Sequence, residues 1–191
     1  MTAIRSFFAV PLSVQSEQQL AEACDGLWAA VERGMNPEAT IRWIPPQNYH
    51  LTLAFLGNIQ RRDLSLLHDI AQQVVADSVE ERFELCRFEW FPSAVKPRLL
   101  VAVPAECPPL LRLQRELSRR LGGQGFHLEK RAFRPHISLA RVRELSSPID
   151  LENEPLGIDC ELDELVLFSS TQGRGGSVYT PLFVEPLGFA R

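Results

Sequence analysis

Two histidines define the chemistry available to this chain. His50 leads the run His50-Leu51-Thr52-Leu53, and His136 leads the run His136-Ile137-Ser138-Leu139. Each reads histidine, apolar, hydroxyl, apolar. The chain has only 4 His, so a pattern shared by two of them says far more than either alone. An imidazole titrates near pH ~6.5, so one ring of a pair can be neutral while the other is charged. Such a pair can take a proton on one side of a reacting centre and deliver one on the other. The hydroxyls of Thr52 and Ser138 can donate to oxygens that gain charge as bonds rearrange. A lone strand histidine is as readily a hydrogen-bonded core residue as a functional one; the matched pair points to a site.

Both motifs lie in apolar, strand-like runs. Alternation puts His50 and Thr52 on one face, with Leu51, Leu53 and Phe55 on the other, and separates His136 and Ser138 from Ile137 and Leu139 in the same way. By this rule Phe55 is a packing residue. Arg134 shares the face of His136, whereas Arg141, five residues on, points away unless the strand ends or bulges near Ala140.

The surrounding elements repeat. Ser6 to Leu12 reads as a strand stopped by Pro11. Gln15 to Arg33 reads as a helix with Leu20, Cys24, Leu27, Trp28 and Val31 on its buried stripe, Ser16 with Gln19 or Ser13 capping its start, and Gly34 at its end. The apolar run Ile41 to Ile44 and the stiff Pro45-Pro46-Gln47-Asn48 lead into the first motif, and Gly57-Asn58 turns the chain. A second helix spans Asp63 to Val75, with His68 at its surface boundary. Arg82 to Phe91 is a strand with Phe83, Leu85 and Arg87 on one side. Leu99 to Val103 is a strand stopped by Pro104, and Pro108 to Leu121 a helix with a leucine stripe. Gly122-Gly123-Gln124-Gly125 ends that helix without the lysine of a phosphate loop. His127 has no hydroxyl two residues on and is not a third motif. Glu161 to Phe168 and Ser177 to Val184 read as strands flanking the glycine-rich turn Gln172-Gly173-Arg174-Gly175-Gly176. Strand, proline, helix and motif thus occur in that order twice. This predicts an internally duplicated α+β unit whose two lobes face each other across a cleft.

The 191 residues suit one bilobal domain, 1–191, at 45% hydrophobic and 23% charged. A net charge of −4 argues against coating nucleic acid by bulk electrostatics. Lys130, Arg131, Arg134, Arg141 and Arg143 nevertheless crowd the second motif. No apolar run reaches the ~18 residues of a membrane span. Met1-Thr2-Ala3-Ile4-Arg5 carries no signal-peptide pattern, so a cytoplasmic protein is expected. Cys24, Cys86, Cys107 and Cys160 are scattered, without zinc-ligand spacing, and are expected to be reduced thiols. No cofactor and no metal are expected.

The sequence resembles the two-histidine phosphoesterases, and among them the bacterial RNA 2′,3′-cyclic phosphodiesterases once called 2′-5′ RNA ligases. The resemblance rests on Arg42-Trp43-Ile44-Pro45-Pro46 leading into His50-Leu51-Thr52-Leu53-Ala54-Phe55-Leu56-Gly57, and on Pro135-His136-Ile137-Ser138-Leu139-Ala140-Arg141. Phe7-Phe8-Ala9-Val10 and Tyr179-Thr180-Pro181-Leu182 look like the family's first and last strands. The second motif carries Ser138 where threonine is usual, which keeps the hydroxyl. The resemblance implies a bilobal fold with pseudo-two-fold symmetry. It also implies metal-free opening of a 2′,3′-cyclic phosphate at an RNA 3′ end to a 2′-phosphate, with reversible 2′-5′ joining. It assigns His50 as general acid and His136 as general base, an order the near-symmetric motifs do not themselves decide. It places Arg141 at the phosphate; Arg134 is the candidate that alternation prefers. Phe8 and Tyr179 are candidates to stack on a base. The expected partner is an RNA end or nucleotide bearing the cyclic phosphate, bound by a monomer. Alternatives are a phosphodiesterase for 2′,5′-linked oligonucleotides or small cyclic nucleotides, and an RNA-end or nucleotide binding module without turnover.

Overall fold

In this computed structural model, residues 3–188 are described apart from 34, 146–147, 152–153 and 174–175. The chain runs β1 (Ile4–Pro11), α1 (Val14–Arg33), β2 (Thr40–Trp43), β3 (His50–Ile59), α2 (Leu64–Ala76), β4 (Glu81–Phe91), β5 (Leu99–Pro104), α3 (Pro108–Gly123), β6 (Ile137–Arg143), β7 (Pro155–Leu162), β8 (Glu164–Gly173) and β9 (Gly176–Pro186). The strands make one antiparallel sheet in the order β7-β4-β5-β6-β3-β1-β8-β9, with β2 on β6. The order is palindromic in kind. Reading outward from the central pair, β3, β1, β8 and β9 on one side answer β6, β5, β4 and β7 on the other. The expected α+β architecture of two related antiparallel lobes is therefore present.

The lobes meet at β3 and β6 through a single backbone pair, Leu51 with Ile137. Past that point β2 takes over the free edge of β6, pairing Trp43 with Ala140 and Thr40 with Arg143. The strands of the two lobes are thus pinned at one place and diverge from it, which opens the cleft.

Helices α1 and α3 cross between lobes, whereas α2 packs on β9 of its own lobe. The main strand contact of α1, which follows β1, is β7 of the other lobe, where the buried Ser16 hydroxyl donates to the Asp159 carbonyl at 3.0 Å. The main strand contact of α3, which follows β5, is β3, and α3 lies beside α2. Its stripe of Leu110, Leu113, Leu117 and Leu121 is almost fully buried. Both lobes share one core that includes Phe8, Leu51, Leu85, Leu100, Leu117 and Ile137. Burying such side chains stabilises the fold by roughly 1.5–3 kcal/mol each.

Several local expectations change. The Ser13 hydroxyl, not a Ser16–Gln19 box, caps α1 by accepting from the Ser16 N–H at 3.2 Å. Gly34 lies outside the described residues. Gly57 does not turn the chain: at φ +68 it sits in a bulge while β3 runs on to Ile59. In β4 a register shift between Leu85 and Arg87 sends Arg87 to the exposed face and brings Phe88 and Trp90 into the core. The run Glu161 to Phe168 is not one strand. It breaks at Asp163 into β7, on the second lobe, and the start of β8, on the first. Of the glycine-rich turn, positions 174–175 lie outside the described residues. Of the basic crowd at the second motif, Arg131 pairs with Glu129 and Arg134 with Glu89. His68 pairs with Glu185 at the edge of α2, as a boundary residue. Among the described residues no helix is long and apolar enough to cross a membrane.

Candidate active site

The Leu51–Ile137 pair holds the two motifs together. Both side chains are fully buried. Extending this antiparallel register by one residue each way puts His50 across from Ser138, and Thr52 across from His136. Two imidazoles and two hydroxyls therefore share the face opposite the buried pair.

Both rings are held alike. The His50 Nδ1–H donates to the Asn48 carbonyl at 2.8 Å, and the His136 Nδ1–H donates to the Arg134 carbonyl at 2.7 Å. A carbonyl can only accept, so Nδ1 keeps its proton and Nε2 becomes the atom that gains or loses one. The His50 Nε2 lies 3.0 Å from the Thr52 hydroxyl. Burial pulls the pKa of His50 down to about 4; the Asn48 carbonyl opposes this, and the charge of His136 adds to it. Burial also lowers His136, against the pull of the Arg134 carbonyl; the Arg134 charge lowers it further and Glu89 raises it.

Aromatic rings wall both sides. Phe7 lies 4.9 Å from His50, and Tyr179 meets it edge-on at 5.1 Å. On the other side Phe91 stacks on His136 at 4.5 Å and 23°, and the Arg134 guanidinium sits 4.7 Å over Phe91 while pairing with Glu89. A hollow of about 410 Å³ is lined by His50, Thr52, Ser138, Arg141 and Tyr179, among others. A second, of about 340 Å³, is lined by His136, Phe91 and Arg134. His136, across from Thr52 by register, lines the second hollow, while Ser138, two residues on, lines the first.

Each motif strand carries the same irregularity. In β3 the register against β1 shifts between Phe8 and Ala9, leaving Leu53 unpaired, and Leu53 and Ala54 are both buried. In β6 the register against β5 shifts between Leu100 and Val101, leaving Leu139 unpaired, and Leu139 and Ala140 are both buried. One extra residue reverses the alternation. The bulge carries the fifth residue after each histidine into the cleft: Phe55 in β3 and Arg141 in β6. Arg141 thus lines the hollow with His50, while Arg134 is engaged by Glu89, Phe91 and the Pro92 carbonyl. Phe55 is not core packing: it is 60% exposed, with its ring 5.8 Å from Phe7.

Phe8 is the other correction. It is fully buried on the core face beside Phe183, and its neighbour Phe7 lines the hollow instead. Phe7 and Phe91 are residues that reading the sequence missed. The adjacent Phe7-Phe8 marks a ring on each face of β1 but not which faces the site; for Phe91 there was no local signal. Asn48 was legible only as part of the stiff approach to His50. Its side chain donates to the Ser177 carbonyl at 2.9 Å, tying that approach to β9. Among the described residues, no three His, Cys, Asp or Glu side chains gather as a metal-binding group.

Known proteins resemble this chain along most of its length. The family model of the LigT-like phosphoesterases matches twice, at residues 16–101 and 101–179, once for each half of the duplicated unit. The RNA 2′,3′-cyclic phosphodiesterase of Thermotoga maritima is 27% identical over 183 residues, covering 94% of each chain. That of Escherichia coli is 28% identical over 180 residues, covering 93% of each. The crystal structure of E. coli LigT complexed with 3′-AMP superposes with a TM-score of 0.76 at 25% identity, covering 97% of this chain and 99% of that one. With both halves matched by its model, the chain belongs to the LigT-like phosphoesterase family.

Proposed function

We propose that this protein opens the 2′,3′-cyclic phosphate at an RNA 3′ end by hydrolysis, leaving a 2′-phosphate. The observation that carries the reading is the quartet of His50, Thr52, His136 and Ser138 grouped about one buried backbone pair. A water molecule attacks phosphorus as the His136 Nε2 takes its proton. The bond from phosphorus to the 3′ oxygen breaks, and the His50 Nε2–H protonates that oxygen. Thr52, Ser138 and Arg141 meet the charge on the non-bridging oxygens. The same sequence with a 5′ hydroxyl in place of water, the 3′ oxygen again leaving protonated, would join two ends through a 2′-5′ bond, and its reversal would cleave that bond back to the cyclic phosphate.

Acid and base are both side chains of one polypeptide, so a monomer suffices, and no step needs a metal ion. The relatives that match along most of this chain are RNA 2′,3′-cyclic phosphodiesterases, which supports the same substrate class here. Cys24, Cys86, Cys107 and Cys160 are unpaired thiols, in keeping with a reducing cytoplasm.

The test is turnover of an oligoribonucleotide ending in a 2′,3′-cyclic phosphate, in EDTA, with product analysis. A 2′-phosphate product, lost in both His50→Ala and His136→Ala proteins, is expected. Full activity in either variant refutes the reading. Tight binding with no hydrolysis would turn the protein into an RNA-end binding module.

A further inference from the structure

The hollow beside His50 is longer than a cyclic phosphate needs. Beyond the quartet its floor continues along β1 and β3 through Phe7 and Phe55 to Arg5 and Asn58, which are paired directly across from each other. Arg5 and Phe7 lie two residues apart on β1 and so share the face of the site. Arg5 and Arg141 are the arginines that line this hollow, at its two ends. Among the described residues neither makes a side-chain ion pair or hydrogen bond. Elsewhere Arg82, Arg119, Arg120, Arg131 and Arg134 each meet a carboxylate. Among the described residues no Asp or Glu lines the hollow, although the chain carries 24 acidic residues against 20 basic ones. Two unpaired cations facing one carboxylate-free groove call for two anionic groups.

The spacing sets what joins those groups. Thr52 lies across from Ala9, and the four-residue step along β1 from Ala9 back to Arg5 spans about 13 Å at ~3.3 Å per residue. An arginine side chain reaching back along the groove covers about half of that. The remainder matches what one ribose spans between its 3′ and 5′ phosphorus atoms. Between the cations lie the half-exposed or exposed rings of Tyr179 and Phe55, with Phe7 beneath them, a surface on which a base can stack.

We propose that Arg5, with the Asn58 side chain opposite it, forms a second phosphate subsite. It takes the 5′ phosphate of the terminal nucleotide, so that the enzyme selects RNA ends over free nucleoside cyclic phosphates. The proposal rests on the cyclic-phosphodiesterase reading and adds to it a determinant of substrate length remote from the reacting bond.

Steady-state kinetics on adenosine 2′,3′-cyclic phosphate and on a dinucleotide ending in the same group test it, in wild-type, Arg5→Gln and Arg5→Lys proteins. The wild type is expected to have the lower KM for the dinucleotide. Arg5→Gln should raise that KM about tenfold, the usual cost of one charge-assisted contact, and leave kcat and the mononucleotide KM unchanged. Arg5→Lys should recover most of the loss. The log–log salt dependence of dinucleotide KM should become shallower by about 0.7 in Arg5→Gln, as expected when one phosphate contact to a single strand is removed. Equal KM values for the two substrates in the wild type would overturn the proposal. So would an Arg5→Gln effect of the same size on both substrates. Retained mononucleotide turnover shows that the variant is folded. Loss of mononucleotide turnover in His50→Ala tests the underlying activity separately.

Discussion

Leu51 stands across from Ile137 in the one backbone pairing that joins β3 to β6. Everything on the opposite face is positioned by that contact, since the neighbouring residues of both strands are the two histidines and their hydroxyls. Leu51→Ala should therefore cost more than its share of core. A stability loss of about 2–5 kcal/mol is expected from the cavity, read from urea midpoints. At temperatures where the variant stays folded, kcat should still fall more than about tenfold, because misplacing paired groups is costly. A variant that loses stability and keeps kcat would show that the seam does not position the site.

Arg141 and Arg134 should separate by phenotype. Arg141→Ala removes a cation from the hollow beside His50 and is expected to lower kcat about 10²- to 10³-fold, as loss of a charge-stabilising donor does. Arg134→Ala leaves the hollow intact and acts through His136. The Arg134 charge holds that imidazole down, so its removal should shift the His136 limb of the pH–rate profile upward. The reverse pattern would move the phosphate role to Arg134.

The pH dependence of kcat/KM reports the free protein. In the proposed mechanism turnover needs one ring charged and the other neutral. His50 is lowered to about 4 and His136 is also lowered. The bell should therefore lie on the acid side of the ordinary imidazole value, with its optimum below about pH 6.5. Exchanging acid and base between the histidines gives the same bell. A bound phosphate anion raises both rings, so the kcat optimum should sit at higher pH than that of kcat/KM. A kcat/KM optimum at pH 7 or above would contradict the burial of the pair.

The same burial has a stability cost with a definite sign. A histidine whose folded pKa is depressed binds fewer protons folded than unfolded. Its neutral form is tolerated above about pH 6.5, and stability is lost as pH falls from there through about 4. At full protonation the loss is roughly 3 kcal/mol for a shift of this size. Denaturation at pH 7 and at pH 4 should show a smaller pH-induced loss in His50→Asn than in the wild type. An equal loss would place the acid-sensitive group elsewhere.

The motifs were legible because a histidine and a hydroxyl two residues on share a strand face in any regular strand. The next step failed at the bulges. A bulge is decided by the neighbouring strand: Leu53 is extra only against β1, and Leu139 only against β5. Strict alternation therefore sent Phe55 to the core and could not bring Arg141 to the site; its place there came from the resemblance, with a bulge near Ala140 as the condition. Phe8 was given the place that Phe7 holds for a related reason, since adjacent rings tell nothing about which face of the strand is the core. The division of 155–173 between β7 and β8 falls at Asp163, which stands among Asp159, Glu161 and Glu164 and so carries no signal that sets it apart from its charged neighbours. The duplicated order of elements was visible, but not that each half lends its helix to the other.

That lending bears on how such a chain could arise. A single copy of the unit, with α1 seated on β7 of the opposite half and α3 on β3, would leave its own helix without a surface to cover. Two separate copies could satisfy each other only by swapping helices as a dimer. The present chain carries both copies in one polypeptide but not simply end to end, since β8 and β9 complete the first lobe yet come after β7 of the second; within it one copy places Phe55 where the other places Arg141. Cutting the chain between the halves should accordingly yield fragments that fold only in each other's company.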